Sequence, residues 1–148
     1  MQELVNLALA ILPFVAFILL IRLLLKKLRT PGRIITDDSG LKKISTNPSI
    51  FGGAWRKSYY FDSQHLYEVD KNNRRPIPLA DIVQIKPGYT TVNNRRSWEV
   101  IYRAHGTEKR IEFYPNLTLF NQNFTAFLLA VKQANPQAEV KEISFFSV

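Results

Sequence analysis

Residues 4–21 form a continuous apolar run without a charged side chain, interrupted only by Asn6 and Pro13, and it continues past Arg22 as Leu23, Leu24 and Leu25. About 22 residues at a rise of roughly 1.5 Å each cover the roughly 30 Å hydrocarbon core of a bilayer, which predicts a transmembrane helix. Asn6 and Arg22 fall near the two ends, where polar side chains reach the headgroups, and a proline in mid-span is tolerated in such helices. Glu3 is the one charged side chain ahead of the run, whereas Arg22, Lys26, Lys27, Arg29 and Arg33 follow it, with no Ala-x-Ala site between Arg22 and Arg33. A cleaved signal peptide has the opposite charge order, so the segment reads as an uncleaved anchor. The positive-inside rule then places the short amino terminus outside and the rest of the chain in the cytoplasm, at the inner membrane.

Past residue 40 the pattern changes to period-two segments separated by turn residues. Short strands are expected at 41–45, 57–61 and 65–70, with a loop at 47–53 and a turn at Asp62, Ser63 and Gln64. Trp98, Val100 and Tyr102 alternate with Glu99, Ile101 and Arg103, and Ile111 and Phe113 alternate with Arg110, Glu112 and Tyr114. Ala104-His105-Gly106-Thr107 joins these two as a hairpin. Leu117, Phe120, Phe124, Phe127, Leu128 and Val131 recur at helical spacing, which predicts an amphipathic helix started by Pro115 and Asn116 and stopped by Asn135 and Pro136. The apolar tail from Ile143 to Val148 is expected to add a strand rather than dock on another chain. The chain thus divides into an anchor with a basic flank (1–29), a linker (30–40) and one domain (41–148). Thr30-Pro31-Gly32 ends the anchor, Asp37-Asp38-Ser39-Gly40 makes a turn, and so short a linker keeps the domain close to the bilayer.

Charge changes this picture less than the total suggests. The formal net charge is +8, but residues 1–33 hold five of the 20 basic and one of the 12 acidic residues, so half the excess belongs to the anchor and its flank. The remaining +4 is spread over about 115 residues, unlike the concentrated basic face of a nucleic-acid binder. The flank sets topology, and Arg22, Lys26, Lys27 and Arg29 are also the candidates for holding the domain to anionic lipid. The absence of cysteine fits a cytoplasmic domain.

Tyr59-Tyr60-Phe61-Asp62, His65-Leu66-Tyr67, the segment from Ile77 to Ile85, Trp98-Glu99-Val100, Gly106, Ile111-Glu112-Phe113 and the terminal helix follow one another as an antiparallel meander capped by one helix. Behind a transmembrane anchor, this order resembles the bacterial pleckstrin-homology-like domains of small single-pass membrane proteins, over residues 41–134. The resemblance implies an α+β fold, an antiparallel sheet or barrel with one C-terminal amphipathic helix, used for protein or membrane-surface contacts without catalysis. The helix lacks the tryptophan of the eukaryotic relatives and no basic strand-loop-strand signature precedes it, so inositol-lipid binding does not follow.

One tetrapeptide occurs twice, as Asn72-Asn73-Arg74-Arg75 and Asn93-Asn94-Arg95-Arg96. Asparagine suits the left-handed turn conformation, while paired guanidinium forks bind carboxylate or phosphate, so Arg74, Arg75, Arg95 and Arg96 are the candidates for an anionic contact. Solvated turns are the commoner explanation of such residues. His65 and His105 are the only histidines and have no metal-ligand spacing, nucleophile motifs are missing, and Gly52-Gly53 lacks the Lys-Ser or Lys-Thr of a phosphate loop, so neither an enzyme nor a cofactor or metal is expected. The glycine-aromatic signature of an RNA-stacking sheet is also missing, so no nucleic acid is expected. The Asn116 and Asn123 glycosylation patterns overlap the predicted helix and read as chance. Together these residues predict a membrane-anchored cytoplasmic scaffolding module with the bilayer and a protein as partners. The alternative is an accessory subunit of a larger membrane complex, contacted chiefly through its span.

Overall fold

The computed structural model describes residues 1–30, 32–46, 57–71 and 73–144, and within its first helix the side chains of residues 3–9 and 28 lie outside that description. The expected loop at 47–53, Asn72, Pro31 and the end of the apolar tail therefore fall wholly or partly outside the described residues. The fold is α+β, with two α-helices and two four-stranded sheets among the described residues.

Helix α1 (Gln2–Arg29) has 28 residues, about 42 Å of rise, and ends where the Thr30 N–H bonds the Lys26 carbonyl. Among the described residues, however, no helix is long and apolar enough to cross a membrane. The expected transmembrane helix is therefore met in length only. The side chains described from Ala10 onward include Arg22, Lys26, Lys27 and Arg29, and most of the apolar residues that open the run are outside the description.

The first sheet is ordered β1 (Lys42–Thr46), β2 (Lys57–Phe61), β3 (His65–Asp70), β4 (Asn73–Pro78), all antiparallel. A 3-10 turn (Leu79–Asp81) leads into β5 (Ile82–Val92), β6 (Arg95–Ala104) and β7 (Thr107–Phe113), and the second sheet runs β7-β6-β5-β8, with the two-residue β8 (Glu139–Val140) parallel to β5. Among the described residues these sheets do not close, which corrects the expectation of a barrel. β1 meets the chain after β7 through a single bridge, Ser45 to Pro115. The short strand β8 precedes the apolar tail, whose Ile143 sinks into the core, and the rest of the strand expected there lies outside the described residues.

The alternations read from the sequence set the faces. Trp98, Val100 and Tyr102 of β6 and Ile111 and Phe113 of β7 point into one core with Tyr59 and Phe61 of β2 and Ile77 of β4. Helix α2 (Asn123–Ala134) covers this core with Phe124, Phe127, Leu128 and Val131. Phe124 meets the Trp98 ring at 4.9 Å, and Phe127 meets Phe61 at 5.6 Å, so α2 bridges both sheets.

The helix begins at Asn123, not at Pro115 and Asn116 as its spacing suggested. Thr118 Oγ1 accepts the N–H groups of Phe120 and Asn121, and the Thr118 N–H donates to the Asn121 carbonyl, so a hydroxyl-stabilised turn takes the amides a helix would need. Leu117 is half-buried in this loop, and Phe120 is 69 % exposed.

In β5 the register slips between Pro87 and Thr91, a bulge that sets the buried Gly88 against β6. A Cβ there would overlap Ser97 Oγ and lie 3.1 Å from a carboxylate oxygen of Glu112. Gly88→Ala is expected to destabilise by about 1–3 kcal/mol, the usual cost of overpacking, with most of it recovered in Gly88→Ala/Ser97→Ala. A double-mutant cycle by chemical denaturation checks this, and independent, additive effects would overturn it.

Candidate functional site

The two tetrapeptides fold in different registers. Asn93 and Asn94, with φ of 50° and 59°, are themselves the turn between β5 and β6, and Val92 pairs with Arg95 across it. In the first copy Asn73 already belongs to β4 and pairs with Asp70, which shifts its arginines one residue along the strand. Arg74 stacks on the Tyr67 ring at 3.9 Å. Arg75 pairs with Glu68 at 3.3 Å and lies 6.0 Å from the Tyr102 ring, tying the first sheet to the second.

Glu68 also receives Lys57 at 3.4 Å and the Tyr59 hydroxyl at 3.2 Å. Burial, then the adjacent Glu68 carboxylate, raise the Tyr59 phenol far above its ordinary range, so it serves as a hydrogen-bond donor and not as a base.

Arg95 donates to the Asn116 side-chain oxygen, and Arg96 Nε donates to the Gly88 carbonyl at 2.9 Å. The four arginines do not converge. Arg96 and Tyr102 are six residues apart on β6, about 20 Å at strand rise. Arg95 and Arg96 line a cleft of about 50 Å³ with Trp98, Phe124 and Ile143, room for a few waters. Arg75 lines a different groove, of about 570 Å³, with Arg103, Lys109, His105 and Asp81. Sequence reasoning missed Arg103 and Lys109. Strand alternation marks Arg103 as solvent-facing but gives Lys109 the parity of Ile111 and Phe113, opposite Tyr102, and no local pattern shows that the β6–β7 hairpin carries the two beside Arg75.

The cations at the end of α1 are likewise divided. At 100° per residue, Leu20, Leu24 and Lys27 form one stripe of α1, and Arg22, Lys26 and Arg29 form another on the far side. Arg29 turns to the domain: its Nε donates to the Ile143 carbonyl at 3.3 Å, and it pairs with Glu142 at 3.5 Å. On the other side the Gln122 side chain grips the helix end and the linker together. Its amide nitrogen donates to the Lys27 carbonyl at 3.0 Å, its oxygen accepts the Gly32 and Arg33 N–H groups, and its own N–H donates to the Arg33 carbonyl at 2.8 Å. Asn123 continues the seam, accepting the Ile35 N–H at 2.8 Å and donating to the carbonyls of Ile35 at 2.7 Å and Lys43 at 2.9 Å. Both amides are buried. Ile143 belongs to the Arg95–Arg96 cleft, so that pair lies on the side of the domain where α1 ends, and the Arg75 groove lies toward the opposite end of β6.

Among the described residues no group of three His, Asp or Glu side chains is placed to hold a metal ion. The β2–β3 turn expected at Asp62 is present. Burial opposes ionisation of the Asp62 carboxyl, but the Gln64 and His65 N–H groups, both at 2.7 Å, and the Tyr67 hydroxyl outweigh it and hold the group below the ordinary carboxylate range. Because the folded value is lowered, this stabilisation is complete above the unfolded value and is lost as pH falls through the folded one. Thermal melts over that acid range are expected to show a shallower decline for Asp62→Asn than for the parent chain.

No family model matches this chain, and none of the curated proteins matches it.

Proposed function

We propose that this protein is a membrane-anchored binding module. α1 sits in the inner membrane, and a cytoplasmic pleckstrin-homology-like domain is held against the lipid surface with a basic groove turned toward a protein partner. The observation that carries the reading is the exposed apolar surface of α1. Its described large side chains at residues 11, 12, 14, 15 and 17–20 are each about half or more open, apart from the domain core, a contiguous surface that water does not favour. The uncharged run of residues 4–21 and the cations after it support bilayer insertion with the domain inside. The succession of four strands, three strands and a helix crossing both sheets supports the pleckstrin-homology-like reading.

The separation of the arginines divides the anionic contacts. Arg95 and Arg96 lie on the side where α1 ends, with Arg22, Lys26 and Lys27. The groove of Arg75, Arg103 and Lys109 lies away from it and suits an acidic segment of a partner.

Alkaline carbonate extraction of native membranes is expected to leave the full chain in the pellet, and protease added to intact cells is expected to spare the domain. Co-purification from those membranes should recover a partner that Arg103→Ala/Lys109→Ala loses and an unrelated replacement span keeps. Release by carbonate removes the anchor reading. Loss of the partner on exchanging the span favours the accessory-subunit alternative.

A further inference from the structure

We propose that the loop of residues 117–122 dips into the bilayer interface beside α1, seating Leu119 and Phe120 among the lipid headgroups and binding an anionic phospholipid between Lys27 and Arg33. The proposal rests on the anchor reading of α1. Three observations carry it.

The first is depth. The Gln122 side chain is bonded to the Lys27 carbonyl, which fixes the loop at the last turns of α1. Leu24 lies inside the apolar run and shares one groove, of about 410 Å³, with Leu119, Phe120, Lys27 and Arg33. Lys27 is about 4.5 Å along the axis from Leu24, and Phe120 is two residues from Gln122, so the loop tip lies about one helical turn from the edge of the hydrocarbon.

The second is exposure. Phe120 is 69 % and Leu119 43 % exposed, although the domain has a core that took in Phe113, Phe124 and Phe127. An aromatic ring with an adjacent aliphatic side chain, left out of the core at this level, matches the composition that lies in the headgroup region.

The third is charge. The loop carries no acidic residue, and among the described residues no carboxylate pairs with Lys27 or Arg33. The Arg33 guanidinium lies 5.3 Å from the Phe120 ring centroid, so a cation and an apolar wedge are presented together. An anionic headgroup complements the cations while its acyl chains meet Leu24 and Phe120. That pairing commits the groove to phospholipid over a second copy of the chain, whose own cations would repel these.

The chain has no cysteine, so single labels can be placed without altering other positions. Spin labels at Ile18→Cys, Leu119→Cys, Phe120→Cys and His105→Cys are compared in the full chain, in nanodiscs of phosphatidylcholine alone and with phosphatidylglycerol. Accessibility to oxygen and to a water-soluble nickel chelate reports depth. The 119 and 120 labels are expected to show an oxygen-to-chelate ratio several-fold above that of 105 and below that of 18. Phosphatidylglycerol should raise the ratio further, and Lys27→Ala/Arg33→Ala or high salt should abolish that increment alone. A ratio at 119 and 120 equal to that at 105, with 18 buried, overturns this proposal and leaves the anchor standing. Chelate access at 18 removes the anchor itself. Dipolar broadening between 120 labels would assign the groove to a second copy and overturn the lipid assignment, as would an increment that phosphatidylglycerol does not produce.

Discussion

Phe113→Ala is expected to destabilise the domain by about 3–5 kcal/mol, the range for removing a fully buried aromatic ring, and to be among the most damaging single truncations available. Phe113 is fully buried, and its ring stands 4.9 Å from Tyr59 of the first sheet, 6.0 Å from Phe124 and 6.4 Å from Phe127 of α2. It is where the two sheets and the helix meet, so the cavity left behind has walls on three elements that cannot all collapse into it. Denaturation of the detergent-solubilised full chain, followed by tryptophan fluorescence, measures the loss. Tyr89→Ala, at a residue 93 % exposed, should change stability by no more than about 0.5 kcal/mol. A Phe113→Ala effect near that of Tyr89→Ala would mean that the aromatic contacts do not hold the sheets together.

The second large effect is expected at Asn123. Truncation to alanine removes three hydrogen bonds at once and leaves the Lys43 carbonyl and both backbone groups of Ile35 without their partner. Each buried polar group so left costs roughly 1–3 kcal/mol, and since Ile35 is 53 % exposed and regains some water, a total of about 2–4 kcal/mol is expected. The distinguishing measurement is local. Amide hydrogen exchange should rise at Ile35 and across β1 in Asn123→Ala while β6 and β7 keep their protection. Uniform loss of protection would show that the linker is not held separately by this side chain.

The faces of β6 and β7 and the His105-Gly106 turn between them were legible because period-two burial and left-handed turn residues are local signals. So was the end of α2 at Asn135. The start of α2 was not, because Leu117 and Phe120 extend the apolar spacing of Phe124 and Phe127 although Thr118 diverts the backbone. Gln122 and Asn123 read as polar residues spacing a helical stripe. Their partners are some 80 to 95 residues away in sequence, and no local pattern announces a side chain that bonds the backbone of a distant segment. The repeated tetrapeptide misled for a related reason. Identical residues suggest identical placement, but a shift of one position in pairing, and opposite ends of β6, separate Arg75 from Arg95 and Arg96.

The clasp on α1 has a mechanical corollary. With Gln122 holding one flank of its last turns and the 142–143 segment meeting Arg29 on the other, the helix and the body below it behave as a shaft keyed to a wheel rather than a ball on a string. Advancing the helix by one residue of twist, about 100°, swings the far groove through the same arc. On the proposed anchor reading, any protein that grips α1 inside the lipid would thereby set the compass bearing at which Arg75, Arg103 and Lys109 face a partner.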